Sequence, residues 1–222
     1  MTDRISPKQF IEAAGADGWR VLGDGGTAYF PTASFAAGSR LVQAISGLPG
    51  VDEQRPDIDL RHDGVTVRMA AFIEGYGGMT QGHAELAHKI SAAAQALGLS
   101  ADPSMVQSLL VIPGAPDRAK VTPFWRAVLG YEPRRDSPDE DLVDPRGRTV
   151  PFWFEQMKEA RPDGGGAIHV AVWVPFEQAE ARVAAALAAG GHMVRDEFAP
   201  SWWTLADEAG NEADIATVKD RD

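Results

Sequence analysis

The sequence predicts an α+β protein of two domains, at residues 1–103 and 104–222. In the first half, helical stretches alternate with two hairpin signals. In the second half, one order of strands and helix recurs at an offset of about sixty residues. The polar, proline-containing segment SADPS, at residues 100–104, follows a helix stop and separates the two halves.

Two turn signals define the hairpins of the first half. One is the glycine-rich turn at residues 23–26, and the other is Asp63-Gly64. Ser34 and Thr80 stand where side chains commonly cap a following helix. The order helix, hairpin, helix, hairpin, helix therefore predicts an α-ββ-α-ββ-α domain.

The second half contains a duplicated module. Pro116 and Pro175 precede its two helices and are 59 residues apart, whereas Gly130 and Gly190 follow the helices and are 60 apart. Because a single strand-helix-strand-strand-strand module cannot cover its own sheet, we expect two modules to pair around a common cup.

The composition limits the classes of partner. A formal net charge of −11 gives a surface that repels phosphate backbones and anionic membranes, so neither nucleic acid nor membrane is an expected partner. No apolar run approaches the roughly 20 residues that span a bilayer, and the N-terminus lacks an apolar secretion signal. The absence of cysteine excludes disulfides and thiolate ligands, and a cytoplasmic location is expected.

Strand alternation turns a set of polar side chains of the second module to one face. Valines at positions 170, 172 and 174 suit packing on a helix, so His169 should face the concave side. In the last strand, Ile215 should face the helix, while Glu212 and Asp214 should face the cup. Histidine and carboxylates on neighbouring strands are donors for a divalent metal, although the same residues are also common at solvated strand edges.

Four tryptophans belong to strands around the expected cup. They are Trp153, Trp173, Trp202 and Trp203. Burial in the core is the commoner fate of tryptophan, and stacking on a flat ligand is the alternative. We treat the four as candidates for a ligand pocket.

The second half resembles the vicinal oxygen chelate superfamily, which contains glyoxalase I, bleomycin-resistance proteins and extradiol dioxygenases. The resemblance covers roughly residues 105–218. It rests on FWRAVLGY after the first strand, IHVAVWV at the start of the second module and WWTLADEAGNEADI at its end. It implies paired βαβββ modules and a divalent metal, Zn, Ni, Fe or Mn, that polarises vicinal oxygens of a substrate.

The same resemblance implies metal ligands at four strand positions. His169 falls at the position on the fifth strand and Asp214 at that on the eighth, with Glu212 as a further ligand or the catalytic base. The first module offers poorer donors, Gln107 at the first strand and either Glu155 or Gln156 at the fourth.

The first half is similar to bacterial pterin-4a-carbinolamine dehydratases over roughly residues 20–98. PDIDLRHDGVTVRMAAF and GGMTQGHAELAHKISAAAQALGL carry the similarity. That family dehydrates a 4a-hydroxytetrahydrobiopterin with a His-His-Pro motif, a third histidine and an acidic residue. Those positions hold Gln54, Arg55, Pro56, Phe72 and His83 here. The site is therefore predicted to be degenerate, because glutamine and arginine cannot shuttle protons near neutral pH.

Together, these patterns predict a protein that binds a small molecule in its second domain. It is either a metal-dependent lyase, isomerase or dioxygenase, or a non-catalytic ligand-binding or resistance protein, and residual dehydratase activity is a third alternative. A homodimer is expected, since the dehydratase family associates through its sheet and helices and the strand at residues 65–70 is typical of a sheet edge.

Overall fold

The computed structural model describes residues 4–14, 18–158, 168–206 and 212–219. Tertiary contacts divide the chain into two compact units. The N-terminal unit consists of Met1–Ala71 and Gly77–Val106, and the C-terminal unit of Phe72–Tyr76 and Gln107–Arg221. None of the described helices is long and apolar enough to cross a bilayer.

The first hundred residues alternate helices with hairpins, as the sequence predicts. The helices are α1 (Pro7–Ala14), α2 (Phe35–Ser46), α3 (Val51–Gln54) and α4 (Gln81–Ala96). The strands are β1 (Arg4–Ile5), β2 (Arg20–Leu22), β3 (Gly25–Pro31), β4 (Asp57–Leu60), β5 (Gly64–Met69), β6 (Ala71–Ile73) and β7 (Tyr76–Thr80). The predicted cap of α2 is confirmed, because Ser34 Oγ accepts a hydrogen bond from the Ala37 N–H at 3.2 Å.

Strands β2, β3, β5 and β4 form an antiparallel sheet in that order. Strand β5 thus lies inside the sheet, and the prediction that residues 65–70 form an edge is wrong. The preceding strand is the reason, since β4 pairs along β5 with Leu60 opposite Val65 and takes the edge position itself. A dimer of this protein cannot form by pairing along β5.

Apolar side chains of this sheet and of α1, α2 and α4 form the core of the N-terminal unit. Fully buried members include Phe10, Trp19, Phe30, Ile45 and Ile90. Gly64 is required by a close approach as well as by the turn, because a Cβ at this position would lie 2.3 Å from the ring of the half-buried Tyr29.

The second half contains the strand and helix order of the duplicated module twice. Its helices are α5 (Arg118–Leu129) and α6 (Phe176–Ala188), and a 3-10 turn at Pro103–Met105 precedes them. Its strands are β8 (Ser108–Ala115), β9 (Glu132–Pro133), β10 (Asp141–Val143), β11 (Phe152–Trp153), β12 (Glu155–Gln156), β13 (Ile168–Trp173), β14 (His192–Arg195), β15 (Trp202–Ala206) and β16 (Glu212–Ala216). Gly130 ends α5 in the left-handed region, at a φ of 67°.

These strands form one sheet in the order β14-β15-β16-β13-β8-β11-β10-β9, with β12 also paired to β8. The two modules meet where β8 and β13 run antiparallel. In each module a later strand runs parallel to the first strand and pairs with it, β16 with β13 and β11 with β8. The repeated pairing is the internal symmetry that the spacing in the sequence predicts.

Each module has an apolar cluster on the sheet face that carries its helix. The cluster at α6 contains Val174, Ala179, Val183, Leu205 and Ile215. The cluster at α5 contains Tyr131, Leu142, Phe152 and Phe154. We call the other side of the sheet, which carries His169 and the buried Ile112, the open face, because the apolar clusters at α5 and α6 lie on the opposite side.

Candidate functional site

Strand register brings His169 and Asp214 to the open face. His169 lies on β13 directly opposite Ile112 of β8. Asp214 lies on β16 beside Ala171 of β13. Because His169 and Ala171 are two residues apart, and partners across a ladder share a face, both polar side chains point away from α6.

The two side chains form a hydrogen-bonded pair, which becomes an ion pair when His169 is protonated. His169 Nε2 lies 3.3 Å from Asp214 Oδ2, and each side chain is 13% exposed. The second carboxylate oxygen of Asp214 accepts a hydrogen bond from Thr204 Oγ1 at 2.7 Å. Thr204 is buried and lies opposite Asp214 on β15. Asp214 is therefore fixed from both sides.

The surroundings of His169 raise its pKa. Burial has the largest single effect and lowers the pKa. The hydrogen bond and the charge of Asp214, together with the charges of Glu155 and Glu212, raise the pKa and outweigh burial. The pKa of His169 therefore lies above its ordinary value near 6.5. The structure thus brings four of the predicted site residues, His169, Asp214, Glu155 and Glu212, into one electrostatic neighbourhood.

Glu155 belongs to the same face as His169. It lies in β12 beside Gly114 of β8, and Gly114 is two residues from Ile112, the partner of His169. The first strand itself contributes aliphatic side chains next to the pair, because Ile112 lies opposite His169 and Leu110 lies opposite Ala171. Gln107 directly precedes β8 and is exposed. By alternation it belongs to the face opposite His169.

This donor set does not fit a resident metal ion. Within residues 4–14, 18–158, 168–206 and 212–219, no three His, Cys, Asp or Glu side chains are arranged to hold one. His169 and Asp214 are the two donors in contact, and they are bonded to each other. Three or four ligands from the protein are usual for a structural or catalytic zinc site.

Three of the four candidate tryptophans lie on the open face. Trp173 is four residues from His169 on β13 and therefore shares its face. Trp202 lies opposite Ala216, which in turn pairs with Trp173. Trp153 directly follows Phe152, which faces the helix, and so points to the other side. Trp202 also stacks on Phe198, with ring centroids 4.3 Å apart. Trp203 has a different position, since it packs against the apolar cluster at α6 on the other face.

Two polar networks of the first module were missed from the sequence. In one, the Glu140 carboxylate accepts hydrogen bonds from Trp153 Nε1 at 3.2 Å and from Arg118 Nη2 at 2.8 Å. In the other, the guanidinium of Arg134 pairs with Asp136 at 2.8 Å and with Asp141 at 3.3 Å. Both depend on which strands become neighbours, and no local pattern in the sequence signals that.

A groove of about 870 Å³ runs along α5 and is lined by Arg118, Thr122, Arg126, Tyr131 and Asp139 among others. None of the residues around His169 lines it. The groove and the open face are therefore different surfaces of the C-terminal unit.

In the N-terminal unit the structure joins Gln54 and His83, two of the predicted degenerate positions, through Thr80. Thr80 Oγ1 lies 3.3 Å from Gln54 Oε1, and the Thr80 N–H donates to His83 Nδ1 at 3.2 Å. Burial lowers the pKa of His83, and a hydrogen bond to the Gln54 backbone opposes that shift. Thr80 is the N-cap of α4, because its Oγ1 accepts from the His83 N–H at 3.4 Å, and the His83 side chain completes a capping box by accepting from the Thr80 N–H.

Of the other three positions, Arg55 and Pro56 follow Gln54 directly, and Phe72 lies further along the chain. Arg55 follows α3 in the left-handed region, at a φ of 48°, and is exposed. Pro56 follows it and precedes β4. Phe72 lies in β6 and belongs to the C-terminal unit.

Comparison with known proteins supports a glyoxalase-like second half. Residues 110–216, just under half of the chain, match the family model described as glyoxalase-like domain. A solved structure of a glyoxalase/bleomycin resistance protein/dioxygenase superfamily member from Vibrio splendidus 12B01 is similar at 16% identity and a TM-score of 0.33. The similarity covers 50% of this chain and 99% of that one. Comparison with curated proteins gives no match.

Proposed function

We propose that the C-terminal unit binds a small, neutral, flat molecule with neighbouring oxygen atoms on the open face around His169. The observation that carries this proposal is the pair of His169 and Asp214, fixed by Thr204 on the face opposite the helices. The indoles of Trp153, Trp173 and Trp202 supply aromatic surface there, and the carboxylates supply acceptors for hydroxyl groups. The excess of carboxylates disfavours an anionic ligand.

The binding function is tested with catechol, which is neutral at pH 7 and has two vicinal hydroxyl groups on an aromatic ring. Isothermal titration should give saturable binding to the wild-type protein. Trp173→Phe, on the open face, should weaken it about twofold to tenfold, as expected for one aromatic contact. Trp203→Phe, on the helix face, is the matched control and should bind like wild type. Equal loss in both variants, or no saturable binding at all, would refute this ligand class.

The alternative is a metal-dependent lyase, isomerase or dioxygenase. To decide between the two, the protein is prepared without chelator, loaded with Zn, Ni, Fe or Mn, and passed through gel filtration. The metal that remains bound is then measured. We expect less than one retained ion per chain. Ile112→His is the positive control, because it places a third donor directly opposite His169 and should increase retention of zinc. One equivalent in wild type that His169→Ala abolishes would favour the enzyme.

Residual dehydratase activity in the N-terminal unit is the third alternative. Gln54 and His83 meet there, but His83 serves as a neutral acceptor for the Thr80 N–H. We therefore expect no turnover of a 4a-hydroxytetrahydropterin above background. A rate that His83→Gln removes would overturn this expectation.

The predicted homodimer is tested separately, by light scattering coupled to gel filtration.

A further inference from the structure

Glu140 links helix α5 to a tryptophan of the open face. One oxygen of its carboxylate accepts from Trp153 Nε1 at 3.2 Å, and the other accepts from Arg118 Nη2 at 2.8 Å. Trp153 lies in β11, and Arg118 is the first residue of α5. The three side chains thus form a continuous connection in which each carboxylate oxygen has its own donor.

This connection is suited to orienting an aromatic ring. The indole of Trp153 can rotate about two side-chain torsions, and its single N–H selects one orientation when it donates to an ionised carboxylate. Glu140 has three torsions of its own, and Arg118 restrains them from the other side. The Arg118 and Glu140 side chains are 28% and 40% exposed, so solvent weakens the contribution of the pair to stability.

We propose that Glu140, held by Arg118, positions the Trp153 indole as a preformed wall of the ligand site. This inference rests on the proposed binding function of the open face. Because the side chain is already ordered before the ligand arrives, binding does not carry the entropy cost of ordering it. The expected gain is about twofold to tenfold in affinity.

The positioning is tested on the indole N–H itself. Protein labelled with ¹⁵N-tryptophan gives indole cross-peaks, and Trp153→Phe identifies the one that belongs to Trp153. Glu140→Ala should move this peak upfield and speed its exchange with water, because the charged acceptor is lost. Glu140→Gln should give a smaller change, because its amide oxygen can still accept. The backbone bond from the Phe154 N–H to the Glu140 carbonyl remains in both variants.

Asp139→Asn is the matched control, since it removes the same charge one residue away, where the side chain lines the groove along α5. It should leave the Trp153 peak in place. Glu140→Ala should also weaken catechol binding about twofold to tenfold, whereas Asp139→Asn should not.

The outcomes separate this inference from the binding proposal. If the Trp153 peak is unchanged in Glu140→Ala, Glu140 does not position the indole and the inference is overturned. If the peak moves but catechol binds equally to wild type and Glu140→Ala, the orientation has no effect on the site and the inference is again overturned. If wild type binds no catechol, the ligand class fails, and the indole peak alone decides whether Glu140 positions Trp153.

Discussion

His83 and His169 are both largely shielded from solvent, yet their neighbours have opposite effects on their charge. Around His83 the partners are backbone groups, the Thr80 N–H and the Gln54 backbone, and burial lowers its pKa. Around His169 burial also lowers the pKa, but Asp214 and two further carboxylates outweigh it, so the pKa is raised. The partner, rather than the degree of burial, decides which form of each imidazole is stable.

The difference separates a structural histidine from a candidate site histidine. A neutral imidazole that accepts from the N–H of an N-cap residue completes a capping box and has no spare acceptor. An imidazole whose pKa is raised by a fixed carboxylate becomes charged at a higher pH than an ordinary histidine, and His169 does so on the sheet face opposite α6. Substitutions at the two positions should therefore affect different properties, stability at His83 and titration at His169.

The largest expected effect is on stability at His83. His83→Ala should lower the free energy of unfolding by about 2–4 kcal/mol, because a buried side chain is deleted and the Thr80 N–H loses its acceptor. Urea denaturation measures the loss, and hydrogen exchange of α4 amides assigns it to the N-terminal unit. His88→Ala, exposed on the same helix, should change stability by no more than about 0.5 kcal/mol. Equal effects of both variants would contradict the capping role.

The second effect is the response to acid. Because the pKa of His83 is lowered on folding, the unfolded chain binds more protons below its pKa near 6.5, and stability is lost as the pH falls through that value. One proton contributes a slope of at most about 1.4 kcal/mol per pH unit. His83→Gln should flatten this acidic limb. Identical acidic limbs in His83→Gln and wild type would show that His83 is not the group that titrates.

Local patterns were sufficient to predict much of this arrangement. Valines alternate with His169 on β13, and Glu212 and Asp214 are separated by one residue on β16. This spacing predicts which side chains share a face, because the period of a strand is a property of consecutive residues. Thr80 as the cap of α4 and the duplicated module were also predicted from spacing alone, and the structure contains both.

Pairing between distant strands was not predictable in the same way. Thr204 reaches Asp214 because β15 pairs with β16 in one particular register, and no residue near either of them indicates that register. The assignment of residues 65–70 as an edge failed for the same reason, since alternation does not reveal how many neighbours a strand has. Trp203 was grouped with Trp202 although adjacent residues on a strand face opposite sides.

The third prediction concerns the titration of His169. Asp214→Asn should lower its pKa, because both a hydrogen bond and a charge that stabilise the imidazolium are removed. Glu155→Gln should lower it less, since Glu155 acts through its charge alone. The imidazole Cε1–H resonance, followed by NMR against pH, measures both. In wild type the stability contributed by the pair should be complete below pH 6.5 and decline as the pH rises through the raised pKa. A larger shift in Glu155→Gln than in Asp214→Asn would contradict the observed pairing.

The smallest effect should come from Thr204, and its direction is the most informative. Thr204→Val removes the hydrogen bond to Asp214 Oδ1 and should reduce stability by about 1 kcal/mol, whereas Thr204→Ser keeps the hydroxyl and should lose less. The pKa of His169 should not fall in Thr204→Val, because a carboxylate that has lost one donor is a stronger acceptor for the imidazolium. A fall as large as that in Asp214→Asn would mean that Thr204 holds Asp214 in place for His169. The site would then be a triad built across three strands, β13, β16 and β15, rather than a pair with a supporting hydroxyl.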